Sequence, residues 1–101
     1  MRTLFITRHP GARDWAARNG FEDVEYVAHF TPGTEPVRVL GTLPVHLAAA
    51  VCAAGGEYWN LNLDIPADAR GRELTADDMD SFGATLERFE VWPHAVGGSN
   101  T

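Results

Sequence analysis

The sequence predicts one small α/β domain organised around a mostly parallel sheet. Three observations carry that expectation. Short apolar, β-branched runs alternate with helix-forming stretches along the chain, a pattern that yields parallel strands joined by crossovers. The length of 101 residues suits a single core. With 45% hydrophobic residues, that core can be filled, though it is small.

Thr3–Thr7 (TLFIT) reads as a short buried strand, broken by Arg8-His9-Pro10-Gly11. Residues 12–19 read as a helix with Ala12, Trp15 and Ala16 on one face and Gly20 as its stop. Val24–His29 is a second strand, followed by a turn-rich loop through Pro32, Gly33 and Pro36 to a third strand, Val37–Gly41. Thr42 can cap the helix that follows, with Pro44 in its first turn, and an alanine-rich stretch carries this helix to Gly55-Gly56. Tyr58–Ile65 alternates as a fourth strand. Trp59, Leu61, Leu63 and Ile65 face one way and Tyr58, Asn60, Asn62 and Asp64 the other. The asparagine face marks an edge, an interface or a ligand pocket. A polar loop, Pro66–Glu73, leads to Thr75 and Asp78, a capping-box start, after which Met79, Phe82, Leu86 and Phe89 recur at helical spacing. Phe89–Trp92 is expected as a last strand. Residues 1–92 thus form the domain and 93–101 a frayed, flexible tail.

Charge and composition narrow the partners. The net charge of −6 argues against a long nucleic-acid surface. All eight basic residues are arginine, and Arg2, Arg8, Arg13 and Arg18 against Asp14 give residues 1–20 a local charge of +3. A basic site on an acidic body suits a compact anion, and arginine grips phosphate with a bidentate fork. No apolar run is long enough to span a bilayer or form a signal peptide. A single cysteine, Cys52, excludes an internal disulfide and fits a reducing cytoplasm. The four histidines are scattered, with no paired-ligand spacing, so no metal site and no cofactor are expected.

In parallel α/β sheets, ligands bind at the carboxyl ends of the strands. The loops Thr7–Gly11, Gly41–Pro44 and Asp64–Glu73 would lie there. A helix start exposes unpaired N–H groups and positive dipole, which suits phosphate. In the first loop, Gly11 permits close backbone approach, Arg8 can neutralise a phosphate oxygen, and Pro10 pushes His9 toward an extended conformation that projects its imidazole. His9 could donate or accept a proton near neutrality. Gly41, Thr42 and Leu43 repeat the arrangement after the third strand, and Thr42 could bond a ligand instead of capping. Arg70 and Arg72 could fold over the site or pair with nearby acids.

TRHPGA at 7–12, GTLPVHLAA at 41–49 and PADARGRELTADDM at 66–79 together resemble the small stand-alone CRISPR-associated proteins of type III systems, over roughly residues 3–92. That family is related to the CARF-type, Rossmann-like sensors and belongs among the ring nucleases. The resemblance implies a CARF-like fold and a homodimer that binds a cyclic oligoadenylate second messenger, the tetra-adenylate ring first of all. Its members cut the ring to linear products and switch off the antiviral response. In such a reaction a ribose 2′-hydroxyl attacks the adjacent phosphorus and the 5′-oxygen leaves, producing a 2′,3′-cyclic phosphate without metal or water. Arg8 and His9 are then the catalytic candidates. Thr7, Pro10, Gly11, Gly41, Thr42, Leu43, Arg70 and Arg72 are the ligand-binding candidates. The alternative is a sponge or sensor that holds the ring uncut. A histidine phosphatase fits poorly, since those enzymes place glycine after the histidine and this chain has Pro10.

Overall fold

The structure is a computed structural model and describes residues 1–97. Five strands form one sheet in the order β2-β1-β3-β4-β5. They are β1 (Arg2–Ile6), β2 (Val24–Val27), β3 (Val37–Gly41), β4 (Glu57–Asn62) and β5 (Thr85–Phe89). The first four are mutually parallel and β5 runs antiparallel to β4. The helices are α1 (Pro10–Arg18), α2 (Val45–Ala53) and α3 (Ala76–Ser81), with a 3-10 turn at Ala67–Ala69. This is the expected small Rossmann-like α/β domain. No helix among the described residues is long and apolar enough to cross a membrane.

Alternation along the strands divides the apolar residues between two faces. Phe5 and Leu40 pack with Ala12, Trp15 and Ala16 of α1 and Ala76 and Met79 of α3. Val37, Val39 and Tyr58 pack with Ala48, Val51 and Cys52 of α2. Trp59, Leu61, Leu63 and Ile65 all join the first cluster, as their alternation predicts. The β2–β3 connection carries no helix, so α2 alone represents the helical layer on its side.

Several element bounds differ from the sequence reading. β1 ends at Ile6 rather than Thr7, because the Thr7 hydroxyl accepts from His9 N–H at 3.1 Å and turns the chain. α1 begins at Pro10, two residues earlier than expected, since proline needs no hydrogen-bond partner at N1. β2 stops at Val27 rather than His29, and β4 spans Glu57–Asn62 rather than Tyr58–Ile65. At Asp64 the backbone N–H turns to Phe82 O instead of continuing the ladder.

The largest correction concerns the run after Thr75. The capping box is present: Asp78 N–H donates to Thr75 Oγ1 and Thr75 N–H donates to Asp78 Oδ2. The helix, however, ends at Ser81. Gly83, at φ 72°, closes it with Gly83 N–H on Asp80 O and Ala84 N–H on Met79 O, the 5→2 and 6→1 pair of a Schellman motif. Leu86 and Phe89 therefore lie on β5, opposite Leu61 and Tyr58, rather than on a helix. The last strand is Thr85–Phe89, and residues 90–97 continue without helix or strand. Of the expected tail at 93–101, residues 98–101 lie outside the described residues.

Candidate functional site

The sheet order reverses direction between β1 and β3. β2 lies on one side of β1, and β3 and β4 lie on the other. Open parallel sheets bind ligands in the crevice outside the strand ends at such a point. A cleft of about 480 Å³ opens there, lined by Thr7, Arg8 and His9 after β1, Thr42 after β3, and Leu61, Leu63 and Ile65 along the β4 strand and its exit. On the other side of the Thr7–His9 turn a shallower hollow of about 260 Å³ is lined by the same three residues with Pro10, Arg13 and Tyr26. No carboxylate lines either space. A third cavity of about 460 Å³ lies toward the amino ends of β1 and β3 beside Arg2 and Glu25, whose charges pair with each other at 2.7 Å.

Each candidate residue has a definite place. Arg8 is exposed at the cleft and forms no ion pair with any described residue, in contrast to Arg2, Arg18, Arg38 and Arg72. The His9 backbone is pinned on both sides, its N–H on Thr7 Oγ1 and its carbonyl accepting from Ala12 N–H at 3.0 Å. Its Nδ1 accepts from Leu74 N–H at 3.3 Å, so a loop 65 residues away orients the imidazole.

Gly11 is buried and faces away from the cleft. A Cβ there would lie 2.2 Å from Leu74 O and 2.5 Å from Thr75 C, so glycine is needed for α1 to meet the start of α3. Close approach is the correct reason for this glycine, but its neighbour is backbone rather than ligand. Gly41, at φ 136°, has Ile6 O 2.7 Å from a would-be Cβ and lets the ends of β1 and β3 converge below the cleft.

Thr42 does not cap α2. The N-cap is Pro44, with no side-chain hydrogen bond, because the chain runs two residues further before turning into the helix. The Thr42 side chain instead lines the cleft. Leu43 holds its loop through its backbone, with its N–H donating to Tyr58 Oη at 3.0 Å.

Arg70 and Arg72 separate in role. Arg70 donates from Nε to Ile65 O at 3.4 Å, behind the cleft wall, while Arg72 pairs with Asp78 at 3.0 Å, and neither arginine lines either hollow. Here the acid-pairing alternative holds for Arg72.

Two features escaped the sequence reading. Arg13 lies with its guanidinium 4.5 Å from the Tyr26 ring centroid, a cation–π pair at the rim of the shallower hollow. Its position in the first turns of α1, five residues after Arg8, is a readable signal. The other is what the polar face of β4, itself visible in the alternation, bonds to. Tyr58 Oη donates to Asn60 Oδ1 at 2.6 Å and contacts Gly41 O at 3.3 Å, Asn60 Nδ2 donates to Asn62 Oδ1 at 2.6 Å, and Asn62 Nδ2 donates to Glu87 Oε1 at 2.9 Å. Burial holds the Tyr58 hydroxyl above its ordinary pKa. The asparagine face is thus an internal hydrogen-bonded chain that ends on the Gly41–Leu43 turn, and it positions Thr42.

No curated protein and no solved structure matches the chain. A family profile described as "Putative CRISPR-associated protein (Cas_VVA1548)" matches residues 4–92, a span that contains both clefts and every element except the first two residues of β1. The chain belongs to the Cas_VVA1548 family of CRISPR-associated proteins.

Proposed function

We propose that the protein is a ring nuclease of a type III CRISPR system, binding a cyclic oligoadenylate, the tetra-adenylate ring first of all, and cutting it to linear products. The observation that carries this reading is the lining of the β1/β3 cleft. It combines an arginine without an acid partner, a histidine and two threonines with the apolar wall Leu61, Leu63 and Ile65, and it contains no carboxylate. That combination suits a ligand with apolar base faces and repeated phosphates. Its volume of about 480 Å³ accommodates part of a ring rather than all of it. Two protomers related by a twofold axis would present two copies of the turn to a symmetric ligand.

In the proposed reaction a ribose O2′ attacks the adjacent phosphorus, the P–O5′ bond breaks, and one proton moves in net from O2′ to O5′. The products end in a 2′,3′-cyclic phosphate and a 5′-hydroxyl, and no water is consumed. The chain's task is to hold O2′, phosphorus and O5′ in line and to stabilise charge on the phosphoryl oxygens. Arg8 carries a full positive charge at the cleft, and the Thr7 and Thr42 hydroxyls border it. In the test, protein is incubated with a large excess of labelled cyclic tetra-adenylate and a chelator. Many turnovers to linear fragments support the enzyme. Stoichiometric capture of intact ring would make the protein a sponge, and no binding at all would refute both.

A further inference from the structure

The imidazole of His9 has only one nitrogen free to meet a ligand. Leu74 N–H donates to Nδ1, and a ring nitrogen that accepts a hydrogen bond carries no proton. The proton of the neutral ring therefore lies on Nε2. Nε2 has no hydrogen-bond partner among the described residues, yet no buried side-chain nitrogen or oxygen there is left unpartnered. Nε2–H thus reaches open space, and His9 lines both clefts. The groups that hold this arrangement are backbone atoms rather than mobile side chains. Leu74 is 2% exposed, its carbonyl is pressed against Gly11, and the His9 backbone is bonded to Thr7 and Ala12.

We propose that Leu74 is a positioning residue that selects the Nε2–H form of His9, so that His9 meets the phosphate as a neutral hydrogen-bond donor and not as a base. The proposal rests on the ring-nuclease reading for the identity of the phosphate. A base needs a bare Nε2, which would place the proton on Nδ1, hydrogen against hydrogen with Leu74 N–H. Transfer of the Nε2 proton to O5′ would leave an imidazolate, so this proton stays where it is. Nε2–H instead donates to a non-bridging phosphoryl oxygen as charge builds there, and the proton lost by O2′ and gained by O5′ travels through solvent. A neutral imidazole used in this way is an established catalytic device.

Two measurements test the proposal. The first is ¹⁵N-detected NMR of the histidine side chains in the free protein near neutral pH, with His9 assigned by its loss in His9→Gln. The expected pattern is a proton on Nε2 and a bare, accepting Nδ1; the opposite tautomer overturns the proposal whether or not the protein cuts any ring. The second is single-turnover cleavage of cyclic tetra-adenylate by folded His9→Ala and His9→Gln. The glutamine amide N–H reaches the region of Nε2–H, so His9→Gln should retain activity within about tenfold of wild type, whereas His9→Ala should lose roughly 10²–10³-fold, as for loss of one oxyanion donor. Equal inactivity of both variants would assign proton transfer to His9 and sink the donor role. If the wild-type protein cuts nothing, the reaction fails, and the tautomer is still decided by the spectrum.

Discussion

Replacing Tyr58 by phenylalanine removes one oxygen from a side chain that is only 4% exposed. That oxygen accepts from Leu43 N–H at 3.0 Å and donates to Asn60 Oδ1 at 2.6 Å. The ring still fills its place among Val37, Val39, Val51 and Cys52, so apolar packing is retained and the loss is polar. A donor and an acceptor, both partly buried, are left unpaired, at about 1 kcal/mol each toward the lower end of the usual range. The expected destabilisation is about 2 kcal/mol, which lowers Tm by about 8–16 °C for a domain of this size. Urea denaturation of wild-type and Tyr58→Phe protein measures it directly. Tyr26→Phe is the control, because the Tyr26 hydroxyl makes no hydrogen bond among the described residues; its effect should stay within about 0.5 kcal/mol. If the two variants unfold together, the hydroxyl of Tyr58 does not hold the Gly41–Leu43 turn. A further consequence of the same contact is that Tyr58→Phe weakens ligand binding through Thr42 without touching the ligand.

Gly11→Ala should cost about 1–3 kcal/mol or more by overpacking, since the new methyl meets backbone of Leu74 and Thr75 that has no room to give; unchanged thermal melting would refute the close packing of α1 on α3. Thr75→Ala removes the cap of a six-residue helix and should lower stability by about 1 kcal/mol in chemical denaturation. The Asp78 carboxyl is held below its usual range first by Thr75 N–H and then by Arg72, and that of Glu57 first by the Trp59 indole and then by Arg38. The folded state therefore binds these protons less tightly than the unfolded chain. Their stabilisation is complete above the ordinary carboxylate pKa of about 4 and is lost as pH falls through the depressed values. The urea midpoint should hold steady from about pH 7 to pH 5 and fall below about pH 4, less steeply in Asp78→Asn; an identical acid limb in that variant would remove Asp78 from the account. Arg8→Ala should weaken ring binding in calorimetry, and Arg8→Lys should restore only part of it because the bidentate fork is gone.

Much of the fold was legible because the relevant signals are local. Val37–Gly41 is mostly apolar, interrupted only by Arg38, and is bounded by Pro36 and Thr42, and the strand has the bounds its sequence suggests. Gly20 and Gly55 announce the ends of α1 and α2 and close them as expected. The same signal at Gly83 was outweighed by the spacing of Met79, Phe82, Leu86 and Phe89, which mimics a helix although Leu86 and Phe89 lie on opposite faces of β5. In the site, the turn Thr7-Arg8-His9 was readable from the passage of strand into helix, and the cleft forms around it. Contacts between distant segments were not readable. Nothing near His9 indicates Leu74 as its partner, nothing near Arg72 distinguishes a ligand from Asp78, and the alternation of Tyr58, Asn60 and Asn62 does not reveal that their polar groups satisfy one another.

The meeting of Gly11 with Leu74 and Thr75 has a mechanical consequence. The same short stretch of chain serves as the seat of α1 and the clamp of the imidazole. The Thr7-Arg8-His9 turn and the entrance to α3 therefore shift as one body, and the aim of His9 is inherited from how Trp15 and Met79 fill the space between the two helices. Alterations deep in that seam, far from the cleft, would turn the imidazole of His9 before they unfold the protein.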